Sequence, residues 1–512
     1  MRSQFTCVLL FALVMAPVFA LHEDHGDGHK CSHDHIERPE PEILDIAEEF
    51  QVDETEGGRQ LASYRNIRMY GYYGRLSSAP SGFRSYMTNE LGPAVLSYFE
   101  GALKVKYPVS GKLKLPSSVK SVCSITTPTA LKNGVDADYA IMFDSTSDSG
   151  SWVAESYSCY LASGTKRPLV AKTLLNRGLF KDPGSNVLLH EKNIYLMLHE
   201  MTHTLGFSNS LYKYFLTDSG KTRTGHVLSK STALGTAKVI NVPAITNRVR
   251  KFFGCSTIAG AYMENTGSSA TAGSHFERRM YPFEAMTSGL IYQQSFSEFS
   301  LAMLESTGWY VPDYSYADPY WFGQGEGCGF LTTKCSSANS KFTDFCTGSS
   351  RGCTVQGRGG GSCGSDTRSD GCRFVRPNVN YDCENSKASS YARLPSLQSF
   401  GRSAGSKCFT GTLSTSSSAS TTSFCFKSSC SGSGSSTRLT LTVGKNSIVC
   451  TKKGKVSVSG YKGTINCPDP LEFCSTVGKA ACPRGCMGRG RCSSGKCVCN
   501  KGFTGKSCEL NA

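Results

Sequence analysis

Twenty-two of the chain's 24 cysteines lie beyond residue 60. So many thiols argue against a reducing cytosol and for a disulfide framework built in an oxidising compartment. Thirteen of them fall between Cys328 and Cys474, amid Gly- and Ser-rich sequence with little helical periodicity, where cross-links must hold what apolar content cannot. Cys123 and Cys159 could pair ahead of that region, and Cys255 would then make its count even, although spacing leaves the connectivity open. The chain as a whole is 39% hydrophobic, enough for a real core, which excludes a wholly disordered protein. At roughly 100–200 residues per domain, its length suggests two to four domains.

The first residues concern export. Met1 to Ala20 contains Arg2, the apolar run from Phe5 to Phe19, and small residues Val18 and Ala20 at a cleavage site, the pattern of a secretory signal peptide. No later run approaches the ~18 apolar residues of a membrane span, and Cys508 to Ala512 lacks a lipid-anchor tail. A secreted, extracellular protein is expected, with association to the cell surface open and no anchor in the sequence. Residues 21–60 hold 13 acidic and 3 basic residues, leaving a net of +24 on residues 61–512. An acidic stretch before a basic body reads as a propeptide covering that body by charge. Anionic glycans or membranes could also be drawn to the basic surface; behind a signal peptide, nucleic acid is discounted. Cys31, alone in this stretch and flanked by His29, His33 and His35, could hold a catalytic metal as thiolate and keep it latent. A His-rich metal scavenger or a chance cysteine would look the same.

The strongest motif is His199-Glu200-Met201-Thr202-His203, continuing to Gly206 and Phe207. On a helix, Ile194, Leu198, Met201 and Leu205 fall within about 60° of one another and form a buried stripe. His199 and His203 lie on the opposite face one turn apart, so one metal ion can be bridged by both imidazoles. Glu200 is displaced beside them, where it reaches a water rather than the metal, as a general base must. Gly206 can end the helix at once. Position 209, where the extended motif would place a third histidine, holds Asn209. His190 falls on the buried side of the helix, which leaves His226 and His275 as third-ligand candidates. Core packing alone would account for Met286, but a turn with a Met eleven residues after His275 favours His275.

These residues resemble the leishmanolysin family, the M8 group of metzincin metallopeptidases. The resemblance rests on His199 to Phe207, an insertion, Gly273-Ser274-His275-Phe276-Glu277-Arg278, and Met286. It extends through Ser300 to Tyr310 and Trp321 to Phe330, covering roughly residues 25–475. It implies one Zn2+ held by His199, His203 and His275, a Met-turn at Met286, Glu200 as the base that activates water, and Cys31 as a propeptide cysteine switch. A zinc metalloendopeptidase made as a latent zymogen and acting on proteins or peptides is the implied activity. The implied fold is α+β: a twisted mixed sheet with helices and zinc in a cleft, then a disulfide-rich, mostly β or loop domain. The expected organisation is signal peptide 1–20, propeptide 21–62, catalytic domain 63–325 with an insertion at 210–272, and cysteine-rich domain 326–475.

Residues 476–512 form a last segment. Cys482, Cys486, Cys492, Cys497, Cys499 and Cys508 have the spacing of an EGF-like module, which reads either as a recognition or adhesion arm or as a stable spacer. Ser414 to Ser436 is nearly low complexity and reads as a mobile loop. A surface-binding or adhesion protein on a metalloprotease scaffold is the alternative to the enzyme, but it would have no need of Glu200.

Overall fold

The run Tyr139-Ala140-Ile141-Met142-Phe143 shows no polar alternation because both its faces are covered. In the computed structural model it lies inside a five-stranded mixed sheet. The structure describes residues 40–48 and 64–512, apart from 233–234, 268–271, 290, 336–340, 349–350, 366–367, 402–404, 417–419, 479–481 and 494–495. The signal peptide and Cys31 therefore lie outside the described residues. In chain order the strands are β1 (Glu42–Leu44), β2 (Met69–Tyr72), β3 (Tyr139–Thr146), β4 (Ala154–Ala162) and β5 (Pro168–Asn176), and in space they run β1-β4-β5-β3-β2. β2, β3 and β5 are parallel, β4 is antiparallel to β5, and β1 adds parallel to β4. Ile141 and Phe143 face the larger core with the helices, whereas Ala140 and Met142 face a second core beside Cys159 and Val170. The Cys123–Cys159 disulfide closes that second layer.

Four helices matter for the site: α1 (Gly92–Ala102), α2 (Val187–Leu205), α3 (Pro243–Phe253) and α4 (Glu298–Ser306). α2 carries the His-Glu-x-x-His motif and is tied to the sheet through Thr204, whose hydroxyl bonds that of Tyr139 at 2.6 Å and whose carbonyl accepts from Ser158 Oγ at 2.8 Å. The expected apolar stripe of α2 is buried, but so is every residue from Ile194 to Leu205. α2 is thus a central helix whose polar side is enclosed. Between α2 and His275 the insertion forms a three-stranded antiparallel sheet and α3, joined to the following region by the Cys255–Cys328 disulfide. Among the described residues, no helix is long and apolar enough to cross a membrane.

The disulfide-rich region is built on six strands between Ser406 and Cys467, around Phe409, Phe424, Phe426, Leu439 and Leu441. Here the loop expected over Ser414 to Ser436 is corrected, since Thr422–Ser431 is a ten-residue strand. Its serines obscure the alternation that matters. Phe424 and Phe426 point into the core together, and Cys425 and Cys430 are cross-linked to Cys383 and Cys474.

The EGF-like segment, with Cys486–Cys497 and Cys499–Cys508 paired, is docked on the body built around the five-stranded sheet and α2. Arg484 to Met487 wind in the left-handed region, with φ between 49° and 57°. Each non-Gly residue there costs about 1–2 kcal/mol, so burial elsewhere must hold the turn. Met487 joins the larger core, and its carbonyl accepts from Ser97 Oγ of α1 at 3.2 Å. The Arg484 guanidinium, 1% exposed, lies 4.3 Å from the centroid of the Tyr195 ring of α2 and 3.4 Å from Glu191 Oε1. Glu191 also pairs with Arg358 of the disulfide-rich region.

Candidate metal centre

α2 starts at Asn186, whose side-chain oxygen accepts from the Leu188 and Leu189 backbone amides. It stops at Gly206, where a Cβ would fall 2.6 Å from Thr307 Cγ2, so only glycine lets the chain turn this close to the segment after α4. The turn brings the Phe207 carbonyl back to His203, whose Nδ1 lies 2.7 Å from it. His199 Nδ1 lies 2.7 Å from the Ala285 carbonyl. A carbonyl only accepts, so both Nδ1 atoms carry the proton, and in the neutral imidazoles both Nε2 atoms present a lone pair.

Those two Nε2 atoms are 3.0 Å apart. Two imidazole lone pairs that face one another repel unless a cation sits between them. The spacing is close to the ~3.3 Å that a tetrahedral ion with ~2.05 Å bonds to nitrogen would impose. His275 completes the group: one ligand atom from each of the three buried histidines lies within 4.8 Å of the others. The His203 ring stands at 88° to His199 and 86° to His275, while the His199 and His275 rings lie within 23° of parallel at 5.2 Å. As a neutral all-nitrogen donor set, the trio fits a borderline-soft divalent ion and leaves a fourth position for water or substrate.

The Met286 turn fastens this arrangement. The Met286 carbonyl accepts from the Phe276 amide at 3.0 Å, beside His275, while Ala285 holds His199. Met286 is fully buried in the larger core. Glu200 is also fully buried, on α2 next to His199. His190 and His226 stand apart from the trio. His190 Nδ1 lies 2.9 Å from the Tyr86 hydroxyl, and His226 Nε2 lies 3.0 Å from the Tyr212 carbonyl. His226 also stacks on Phe215, and burial holds its imidazole below the usual range. Asn209 lies beside the group without being a ligand: its backbone N–H donates to Ser274 Oγ at 3.1 Å, next to His275.

Sequence reasoning missed Glu284. Its fully buried carboxylate accepts from the Met286 amide, from the Ser297 amide at 3.1 Å and hydroxyl at 3.0 Å, and from Ser300 Oγ at 2.6 Å. It therefore staples the Met286 turn to the start of α4. Burial outweighs these donors and pushes its carboxyl up to about 7. The only sequence signal is an acid two residues before the Met, which any surface turn could show.

The leishmanolysin peptidase model matches residues 81–370, more than half of the chain. The chain belongs to the leishmanolysin (M8) family. A teneurin-like EGF model matches residues 482–511. Similar proteins include the leishmanolysin-like peptidase of Caenorhabditis elegans, 33% identical over an alignment of 168 residues that covers 27% of this chain and 25% of that protein. The ciliated left-right organizer metallopeptidase of Mus musculus is 30% identical over 230 residues, 43% of this chain and 32% of that protein. The leishmanolysin homolog of Crithidia fasciculata is 33% identical over 144 residues, 28% of this chain and 21% of that protein. The matched segments thus span about a fifth to a third of these relatives' length. Membership implies a metallopeptidase scaffold and a metal.

Proposed function

We propose that this member of the family is a zinc-dependent endopeptidase that cleaves proteins or long peptides. The observation that carries the reading is the approach of the His199 and His203 Nε2 atoms, both turned inward by backbone carbonyls, with His275 beside them. His199, His203 and His275 would hold the ion, and Met286 would form its floor. Zinc supplies Lewis acidity there, polarising the scissile carbonyl and making water nucleophilic near neutral pH. Glu200, buried next to His199, would receive the proton of the attacking water on its carboxylate and hand it to the departing amine. Enclosure of α2 excludes bulk water from this transfer, which strengthens each charge interaction.

The acidic segment with Cys31 supports synthesis as a latent precursor, and the leader at residues 1–20 supports secretion. Adhesion through the EGF-like module would fall to the side away from Arg484 and Met487, which are buried, where Val498 is exposed.

The test is casein hydrolysis by the activated protein beside its Glu200→Ala variant, with zinc measured in both. Cleavage by the parent alone, with about one zinc in each, is the expected result. Zinc in both with cleavage in neither, across a broad peptide library, would overturn the endopeptidase reading.

A further inference from the structure

Residues 40–48 belong by sequence to the acidic stretch read as a propeptide, yet they are built into the catalytic sheet. β1 pairs with the end of β4, Glu42 against Tyr160 through Leu44 against Ala162. Leu44 is 5% exposed and lies in the second core with Val109, Leu113 and Tyr160. Its carbonyl accepts from the amides of Ser163 at 2.8 Å and Ile46 at 3.1 Å, and the Ala47 carbonyl accepts from Ser110 at 2.9 Å.

The deepest contact is Glu48. Its Oε1 lies 3.2 Å from Nε of Arg167, whose side chain is wholly buried, and its Oε2 accepts from Thr165 Oγ1 at 2.7 Å. Asp138, the neighbouring buried acid, is engaged with Arg65, Arg68 and the Val109 amide. Arg167 thus takes its direct carboxylate partner from the acidic stretch, and withdrawing it leaves the buried guanidinium on the Tyr107, Asp138 and Pro168 carbonyls with only the more distant Asp138 carboxylate to offset its charge.

Both ends of the intervening segment are fixed to the same piece of chain. Ala47 is held by Ser110, and the Arg65 carbonyl accepts from Val105 at 3.0 Å. A cut between residues 48 and 64 would therefore leave each end with its own anchors.

We propose that residues 40–48 stay docked after the chain is cut between residues 48 and 64, so that the working enzyme carries this acidic strand as a second, non-covalently held chain. The proposal rests on the propeptide reading only for the natural occurrence of such a cut, and its test makes the cut artificially. A site-specific protease sequence is placed between residues 49 and 63 of the full chain. The protein is cut, then passed over a gel-filtration column at about 0.15 M salt, with mass spectrometry of the body peak.

The N-terminal fragment is expected to co-elute in equal amount and to separate only in denaturant. Leu44→Asp, which puts a charge into the second core, should release most of it on the same column, whereas Cys31→Ala should not. Separation of the parent fragment without denaturant would overturn the proposal. So would release by Cys31→Ala with retention by Leu44→Asp, because the switch and not the strand would then be the tether. Proteolytic activity is read separately, so an inactive but two-chain particle would count against the enzyme reading alone.

Discussion

Arg484 offers a measure of how firmly the EGF-like module is part of the body that carries the three histidines. Arg484→Ala removes a guanidinium that is 1% exposed, stacked on Tyr195 and paired with Glu191, whose own side chain is 5% exposed. Breaking a buried pair from one side costs about 3–5 kcal/mol, and at this burial solvent screening gives no discount. Glu191 keeps its contact with Arg358, which places the loss at the lower end, about 3 kcal/mol. The lost contact with the Tyr195 ring adds about 1–2 kcal/mol, offset by the roughly 1.5–2 kcal/mol of rotamer entropy that a buried arginine gives up and an alanine does not. A net loss of about 3 kcal/mol corresponds to roughly a hundredfold rise in local opening. Hydrogen exchange followed by mass spectrometry reads this directly. Amides around residues 189–196 and 483–489 should exchange about a hundredfold faster, while those of the six-stranded sheet should be unchanged. Unaltered protection in both peptides would refute the claim that this arginine locks the module to α2.

Three further outcomes are expected. Glu284 has a carboxyl raised to about 7 in the fold, against an ordinary value of 4.5. The folded state therefore binds more protons between those values, and stability falls as pH rises through that window, by about 3 kcal/mol in all. Glu284→Gln should flatten this slope, which denaturation midpoints between pH 4.5 and 7.5 would reveal; an unchanged slope refutes the assignment. His275→Ala should abolish stoichiometric zinc while His226→Ala retains it, as read by elemental analysis, and the reverse would displace His275 from the site. Cys31→Ala should make the precursor active without a thiol-reactive activator, and a precursor that stays inactive would remove Cys31 as the switch.

The helix and its two histidines were legible because a 3.6-residue period is local information. His275 was reachable by elimination among few histidines and by its distance from Met286. Other features depend on partners remote in the chain. Nothing within Glu42–Leu44 announces that it pairs with Tyr160 to Ala162, because a three-residue strand has too little pattern to read. Ser-rich composition hid Thr422–Ser431, where two phenylalanines and two disulfides outweigh the serines. The role of Glu284 needs Ser297 and Ser300 brought beside it by α4, and the burial of Arg484 needs α2. In each case the spacing within the segment is ordinary and the tertiary neighbour decides.

The two carbonyls that orient His199 and His203 have one more consequence. Where a carboxylate side chain fixes a ligand imidazole, a single codon change can erase the support. At Ala285 and Phe207 the acceptor is the peptide backbone, which nearly every replacement preserves. The orientation of the imidazoles is thus inherited with the chain path rather than with particular side chains. Their tautomers can survive extensive drift at both positions, so long as the turns after α2 and around Met286 keep their shape.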